Sequence, residues 1–167
     1  MLGSQVIVLV GPMGVGKTTI GKKLASSLGV PFRDTDAMFV ARYGDIPHYF
    51  AEHGEGAFRT HEEDIVAEAI AEPGVVATGG GAVLSEVTRQ RLVRSTVVYL
   101  STDGTHMAKR LSQGSRPLLQ NGLDDWKRIY DERKAIYASV ADIEIDCSGA
   151  PIKQSVQDIR TGLGLDE

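Results

Sequence analysis

The sequence predicts an α/β fold, in which helices surround a parallel β-sheet. The first reason is that short apolar runs alternate with longer stretches of helical periodicity along the chain. The second is that residues 5–10 are almost continuously apolar, as expected for a strand buried on both faces. The third is the length of 167 residues, with no internal repeat or linker, which indicates a single domain over 1–167.

Five strands are predicted, each of them short and mostly apolar. The first ends at Val10, immediately before a glycine-rich turn, and the second precedes the acidic pair Asp34 and Asp36. The third runs into three consecutive glycines. The predicted strands are 5–10, 31–33, 75–78, 96–100 and 143–145.

Helices are predicted between the strands, where apolar residues recur three and four positions apart. In the first helix Ile20, Leu24 and Leu28 share one face, and Gly29 supplies the stop. The segment 112–122 has no clear periodicity and is predicted to be a mobile loop. The predicted helices are 17–28; 35–71, broken at Gly44 and around 54–56; 85–93, capped by Ser85; a stretch ending near 111; 124–140; and 152–163.

Composition and charge narrow the class of protein. The net charge is −4, so no general attraction to nucleic acid or to an anionic membrane is expected. No apolar run approaches the ~20 residues of a membrane helix, and the N-terminus lacks the pattern of a secretion signal. Cys147, the single cysteine, is expected to be a buried side chain near a strand end. We therefore expect a soluble, cytoplasmic monomer without nucleic-acid or membrane partners.

A phosphate-binding loop follows the first strand. The pattern G-x-x-x-x-G-K-[ST] is matched by Gly11, Gly16, Lys17 and Thr18. The glycines let successive backbone amides face a phosphate, and the N-terminus of the next helix also favours an anion. Lys17 is predicted to reach the β- and γ-phosphates of ATP, and the Thr18 hydroxyl to bind Mg²⁺. The predicted ATP contacts along this loop are Gly14, Val15, Gly16, Lys17, Thr18 and Thr19.

Two absences favour a small-molecule kinase among the proteins that carry such a loop. A GTPase would carry Asn-Lys-x-Asp, but here Asn121 is followed by Gly122, so the lysine is missing. A motor ATPase would end a buried strand in an acidic residue, whereas the strand 75–78 ends in glycines. The chain also has no room for an additional transmission domain.

Polar and glycine-rich segments follow two further strands, at the sheet edge where ligands bind in open parallel sheets. A kinase needs carboxylates there to orient the acceptor hydroxyl and to help hold Mg²⁺. Asp34 and Asp36 are two apart, and on an extended segment both side chains would point the same way. The alternative is that one of them caps a helix starting near Ala37. The triple glycine 79–81 would let a ligand approach the backbone closely, or would form a flexible turn.

The motifs together resemble the shikimate kinase family over nearly the whole chain. Arginines suit carboxylate and phosphate recognition, but composition and spacing alone do not choose among those present. The order and spacing of the complete set are typical of that family. The motifs are the loop 11–18, Asp34-Thr35-Asp36, the segment 54–62 with Phe58-Arg59 and Glu62, Thr78-Gly79-Gly80-Gly81-Ala82, and Arg116-Pro117-Leu118-Leu119.

The resemblance implies transfer of the ATP γ-phosphoryl to the 3-hydroxyl of shikimate, in aromatic amino-acid biosynthesis, with Mg²⁺ as cofactor. It implies a three-layer P-loop kinase fold of the nucleoside-monophosphate-kinase type, with a five-stranded parallel sheet in the order 2-3-1-4-5. It further implies a substrate-binding segment over about 35–58 and a lid over about 112–122.

The resemblance also implies roles for individual residues. Asp36 would orient and deprotonate the acceptor, and Asp34 would hold Mg²⁺ through water, beside Thr18. The implied catalytic residues are Asp36, Lys17 and, on the lid, Arg116. The residues implied to bind ATP include Arg110, which would flank adenine, and Arg116. The residues implied to bind the acceptor are Asp36, Arg59, Gly79, Gly80, Gly81 and Arg133. The family pattern Arg-x-Pro-Leu-Tyr is replaced here by Arg-Lys-Ala-Ile-Tyr at 133–137, without the proline.

Two other functions remain open from the residues themselves. The set Asp36, Arg59 and Arg133 suits a hydroxylated carboxylic acid without naming it, so gluconate or another small polyol acid is an alternative acceptor. A catalytically silent homologue that only binds nucleotide is a second alternative, although Lys17 and Thr18 are intact.

Overall fold

A five-stranded, all-parallel sheet forms the centre of the computed structural model, which describes residues 5–111 and 122–165. The strands lie in the order β2-β3-β1-β4-β5, which confirms the order expected from the resemblance. Each of the five predicted strands is confirmed to within two residues at either end. They are β1 Val6–Val10, β2 Phe32–Asp34, β3 Gly74–Ala77, β4 Thr96–Ser101 and β5 Ile143–Asp146.

Helices cover both faces of the sheet in the described part of the chain. The loop of the first motif leads directly into α1, which ends where Gly29 adopts the left-handed conformation (φ 67°). The helices are α1 Lys17–Leu28, α2 Thr35–Tyr43, α3 Ile46–Ala69, α4 Glu86–Arg91, α5 Met107–Leu111, α6 Leu123–Val140 and α7 Ile152–Gly162; short 3₁₀ turns lie at Ala82–Leu84 and Leu92–Arg94.

The breaks predicted within 35–71 are confirmed. Gly44 ends α2 with a positive φ of 84°, and the Asp45 side chain caps α3 by accepting a hydrogen bond from the His48 amide. A second glycine, Gly54, has a φ of 84° and interrupts α3 with a kink. These two bends separate α2 from α3 and divide α3 in two.

Alternate residues of the central strand pack into opposite layers of the core, as a strand buried on both faces requires. Ile7 and Leu9 pack with Leu24 of α1 and Ile159 of α7. Their neighbours Val8 and Val10 pack on the other face, and that cluster includes side chains of α3 and α6. The two clusters make the sheet the middle of three layers.

The carboxyl ends of β1, β2 and β3 meet at one edge of the sheet, because Asp34 pairs in register with Ala77 and Leu9 pairs with Ala77 on the other side. The residues that follow these strands carry the motifs. The loop predicted at 112–122, apart from Gly122, lies outside the described residues, as does Arg116. Within 5–111 and 122–165, no helix combines the length and the apolar character that crossing a membrane requires.

Candidate active site

The phosphate-binding loop connects β1 to α1 and is shaped by glycines. Gly11, Gly14 and Gly16 all have positive φ, at 151°, 80° and 109°, which other residues rarely adopt. At Gly11 a β-carbon would also lie 2.5 Å from the carbonyl oxygen of Leu100. The loop borders a cleft with a volume of about 470 Å³, which is lined by Met13, Gly14, Gly16, Lys17, Thr18, Thr19, Asp34, Asp36, Thr78, Gly80, Arg110 and Ile152.

Two cations hold the carbonyl groups of this loop. The Lys17 ammonium is nearly buried and donates to the carbonyls of Gly11, at 2.7 Å, and Pro12, at 2.9 Å. Arg110, predicted to flank adenine, lies in the same cleft and donates to the carbonyls of Gly14 and Val15 at 2.8 and 3.1 Å. Both side chains therefore lie against the backbone of the loop, beside the place where a phosphate would sit.

Asp34 and Asp36 do not lie on one extended segment, and the prediction that they point the same way for that reason was wrong. Strand β2 ends at Asp34, and Asp36 already belongs to the first turn of α2. The Asp34 carboxylate caps this helix by accepting from the amides of Asp36 and Ala37, at 2.9 and 3.1 Å. Its other oxygen accepts a hydrogen bond from the Thr18 hydroxyl at 2.5 Å. Asp34 thus serves as the cap and also faces the phosphate-binding loop.

A second cavity, which we call the acceptor cavity, lies beside the cleft. Its volume of about 260 Å³ is below the ~300–1,000 Å³ typical of sites for drug-sized ligands, so it suits a compact molecule. Its lining combines apolar side chains with charged groups of both signs. It is lined by Met13, Asp36, Val40, Asp45, Ile46, Pro47, Phe50, Phe58, Arg59, Glu62, Gly79, Gly80, Gly81 and Arg133.

A partly buried ion pair holds the first arginine of this cavity. Arg59 donates to Glu62, one helical turn further along α3, at 2.8 Å, and to the more exposed Glu55 at 3.2 Å. Its guanidinium carbon lies 5.2 Å from the centre of the Phe58 ring, so packing also restrains it. The second arginine, Arg133 on α6, is 7% exposed and also lines the cavity. Helix α6 thus presents Arg133 to the cavity without the proline of the family pattern.

Glu62 is the most deeply buried carboxylate at this site, with 5% of the residue exposed. Burial raises the pKa of its carboxyl above the ordinary value, while the guanidinium of Arg59 opposes that rise. The nearby charge of Asp36 adds to the rise, and that of Arg133 opposes it. Four charged side chains are therefore coupled in one small volume, and a bound anion would change the balance among them.

The triple glycine lets these charged groups approach the backbone. A β-carbon on Gly79 would lie 2.7 Å from an Asp36 carboxylate oxygen and 2.9 Å from one of Glu62. A β-carbon on Gly81 would overlap the guanidinium of Arg59. The turn is held in place because the Gly79 amide donates to the Thr35 hydroxyl, at 3.2 Å. Only glycine leaves the room that both carboxylates and the arginine occupy.

The cleft and the acceptor cavity share three lining residues: Met13, Asp36 and Gly80. A phosphate bound in the cleft and a hydroxyl bound in the cavity would consequently meet at the Asp36 carboxylate. Sequence reasoning named Asp36 and Gly80 but no role for Met13, which occupies a variable position of the loop pattern. It also gave Glu62 no role, although its position three residues after Arg59 on one helix indicates a pair.

The phosphate-binding cleft and a small charged cavity lie side by side, with one carboxylate between them. This arrangement defines a P-loop kinase of small molecules. The family model described as shikimate kinase matches residues 13–163. A shikimate kinase from Streptomyces coelicolor is 42% identical over 160 residues, which cover 93% of this chain and 94% of that protein. The chain belongs to the shikimate kinase family.

Solved structures agree with this assignment. The structure described as shikimate kinase from Acinetobacter baumannii in complex with shikimate has a TM-score of 0.90 at 35% identity, over 98% of this chain and 95% of that one. A gluconokinase from Sinorhizobium meliloti has a TM-score of 0.70 at 19% identity, over 98% of this chain and 94% of that one. At that identity the second likeness shows a shared fold and nothing about the acceptor.

Proposed function

We propose that this chain transfers the γ-phosphoryl group of ATP to the 3-hydroxyl of shikimate, giving shikimate 3-phosphate and ADP. The observation that carries this function is that the phosphate-binding cleft and the acceptor cavity meet at Asp36. Membership of the shikimate kinase family supports the choice of acceptor.

The acceptor cavity offers complementary groups for a small hydroxylated acid. Arg59 and Arg133 line it from α3 and α6, and a guanidinium binds a carboxylate through paired hydrogen bonds. The apolar lining residues, which include Phe50 and Phe58, suit the carbon ring of such an acid. In this proposal the carboxylate of shikimate lies between the two arginines and its reacting hydroxyl faces Asp36.

The transfer itself then needs few groups. The Asp36 carboxylate accepts the proton of the hydroxyl while the hydroxyl oxygen forms a bond to the γ-phosphorus. The bond from that phosphorus to the oxygen bridging the β-phosphate breaks, and ADP leaves with the bonding electrons. Lys17 stabilises the negative charge that spreads over the phosphate oxygens. Arg116 and the lid at 112–122 remain predictions for the same step.

The residues beside the loop fit a bound Mg²⁺. Thr18 and Asp34 both line the cleft, and their side-chain oxygens lie 2.5 Å apart in a shared hydrogen bond. Hydroxyl and carboxylate oxygens are the hard ligands that Mg²⁺ takes, with water completing its coordination. In this proposal Thr18 holds the ion directly and Asp34 holds it through water. The ion would supply charge neutralisation for the phosphates.

The enzyme is further proposed to act as a monomer in the cytoplasm, where ATP is regenerated. This part of the proposal follows from the reaction and from the composition, and it is separate from the assignment of the site.

The direct test is release of ADP from ATP by the natural protein with shikimate, gluconate and other small hydroxy acids as acceptors. Turnover with shikimate, and at least about 100-fold lower kcat/KM with gluconate, is the expected result, because an acceptor lacking the matching hydroxyl geometry leaves buried charges unpaired. Turnover with another acid and none with shikimate would replace the proposed acceptor. Tight ATP binding with no turnover on any acid would indicate a silent homologue.

A further inference from the structure

The indole of Trp126 contacts the phosphate-binding loop, which packing of a helix alone does not require. Its Nε1–H donates to the carbonyl oxygen of Met13 at 2.7 Å, and 2% of the residue is exposed. This hydrogen bond joins two segments that are distant in sequence, the loop after β1 and the first turn of α6. A buried indole N–H needs an acceptor, and here that acceptor is a carbonyl of the phosphate-binding loop.

The position of the indole is built in by its neighbours. Gly104, after β4, has a φ of 84°, and a β-carbon there would lie 2.9 Å from the Trp126 ring. The ring also packs against Tyr130, with centroids 5.2 Å apart. Because both neighbours restrain the ring, its N–H is directed at one place on the loop.

Holding the Met13 carbonyl also sets the direction of the next amide. The peptide unit is planar and trans, so the C=O of Met13 and the N–H of Gly14 point in opposite directions. The carbonyl is turned toward α6, and consequently the Gly14 amide is turned away from α6. Gly14 lines the cleft in which the phosphates are expected. Arg110 takes the next two carbonyls, those of Gly14 and Val15, in the same manner.

We propose that Trp126 is a positioning residue for nucleotide: its indole N–H holds the Met13 carbonyl so that the Gly14 amide is oriented toward the polyphosphate before ATP binds. The inference rests on the proposed function, since it assumes that the cleft binds ATP. A hydrogen bond from an amide to a charged phosphate contributes roughly 10- to 100-fold in affinity. Pre-orienting the amide removes part of the cost of ordering the loop on binding.

The contribution of the indole N–H can be measured with Trp126→Phe, which keeps an aromatic ring and removes the donor. The matched control is Tyr130→Phe, which keeps the ring that packs against Trp126 and removes a hydroxyl whose hydrogen bonds in the described structure go to the Tyr99 hydroxyl and the Thr102 amide. Calorimetry gives the Kd for ADP and, separately, for shikimate, and thermal unfolding gives the loss of stability. ADP binding and turnover by the natural protein are measured first, so that failure of the proposed function is recognised before the variants are compared.

The expected result is that Trp126→Phe raises the Kd for ADP about tenfold and changes that for shikimate less than about twofold. Tyr130→Phe should leave the Kd for ADP and the Kd for shikimate within about twofold of the natural values, even if it lowers the Tm as much as Trp126→Phe does. An ADP affinity within about twofold of the natural value in Trp126→Phe, or an equal loss for both ligands, overturns the proposal.

A second measurement needs no substitution. The chain has a single tryptophan, so a ¹⁵N-labelled sample gives one indole N–H resonance. Addition of ADP should shift that resonance, because its acceptor belongs to the peptide unit whose amide faces the phosphates. A resonance that stays in place while ADP saturates the cleft would contradict the proposed role.

Discussion

The two halves of the site are built in different ways. The nucleotide cleft takes half of its lining residues from one continuous segment, the loop after β1 and the start of α1, with glycines at the bends. The acceptor cavity is lined mainly by residues of α2, α3 and α6, together with the triple-glycine turn. A site centred on one continuous loop can be read from a local pattern, whereas a site assembled from several helices depends on how distant elements pack.

Because the two halves are built differently, substitutions in each half should have different effects on ligand binding. Charges in the cleft are held by loop carbonyls, as the contacts of Lys17 and Arg110 show. Charges in the acceptor cavity are held by one another, through Arg59, Glu62 and their neighbours. Substitutions among the latter should therefore change acceptor binding or the transfer step while nucleotide binding is kept. The expected effects below run from the largest to the smallest.

Replacement of Asp36 by asparagine should lower kcat by about 10²-fold or more, because the transfer step loses its proton acceptor. Affinity for ADP should remain within about twofold, since the amide keeps the shape of the side chain and the cleft keeps its loop. Steady-state kinetics and calorimetry give the two quantities. A variant with near-normal kcat would show that Asp36 has no role in the transfer step. A large loss of ADP affinity would show that nucleotide binding also depends on Asp36.

Replacement of Arg59 by alanine should raise the Kd for shikimate by about thirtyfold or more, the scale of losing one partner of a buried charge pair. The matched control is Arg42→Ala. Arg42 also pairs with a glutamate, Glu68 at 2.5 Å, but both side chains are exposed and screened by water, so its removal should leave the affinity for both ligands unchanged. Calorimetry on both variants with shikimate and with ADP makes the comparison. Equal losses of affinity for shikimate and for ADP in Arg59→Ala would show that this arginine does not bind the acceptor specifically.

Replacement of Gly79 by alanine should lower kcat/KM for shikimate by about tenfold, because the new β-carbon would displace the carboxylates of Asp36 and Glu62. Gly56→Ala is the control, since a β-carbon there would meet no atom within 4 Å and alanine favours the helix by about 0.5–1 kcal/mol. The control should keep kcat/KM and raise the Tm slightly. If Gly79→Ala is as active as Gly56→Ala, the close approach at the turn has no role in acceptor binding.

The smallest expected effect is a dependence of stability on pH caused by Glu62. Burial raises the pKa of its carboxyl above the ordinary value of 4.5, so the folded protein holds this proton more tightly than the unfolded chain does. The stabilising contribution is complete below about pH 4.5 and is lost as pH rises through the pKa in the folded state. Urea unfolding of the natural protein and of Glu62→Gln should show the natural protein losing stability relative to the variant as pH increases from about 4. The opposite trend would mean that the Arg59 interaction outweighs burial.

Much of the fold was predictable because the signals are local. Val10 ends an apolar strand, the glycine pattern follows it, and Gly29 stops the helix, so the bounds of α1 were predicted correctly as 17–28. The breaks at Gly44 and Gly54 were equally local, since both glycines adopt positive φ. Such features need no knowledge of what packs against them.

The acceptor cavity was less predictable for the opposite reason. Asp34 and Asp36 were expected on an extended segment, but the Asp34 carboxylate caps α2 and draws Asp36 into a helical turn. The hydrogen bond from Trp126 to Met13 joins residues 113 positions apart in the chain, and no periodicity in either segment indicates it. Arg133 was selected by resemblance, since its spacing alone did not distinguish it from surface arginines.

The most direct test of the central claim, that the two halves meet at Asp36, is a crystal structure of the protein with ADP and shikimate bound together. We expect the β-phosphate of ADP against the loop amides, the shikimate carboxylate within hydrogen-bond distance of Arg59 and Arg133, and one ring hydroxyl on the Asp36 carboxylate. Shikimate bound away from both arginines, or a Lys17 ammonium directed away from the nucleotide, would contradict the account.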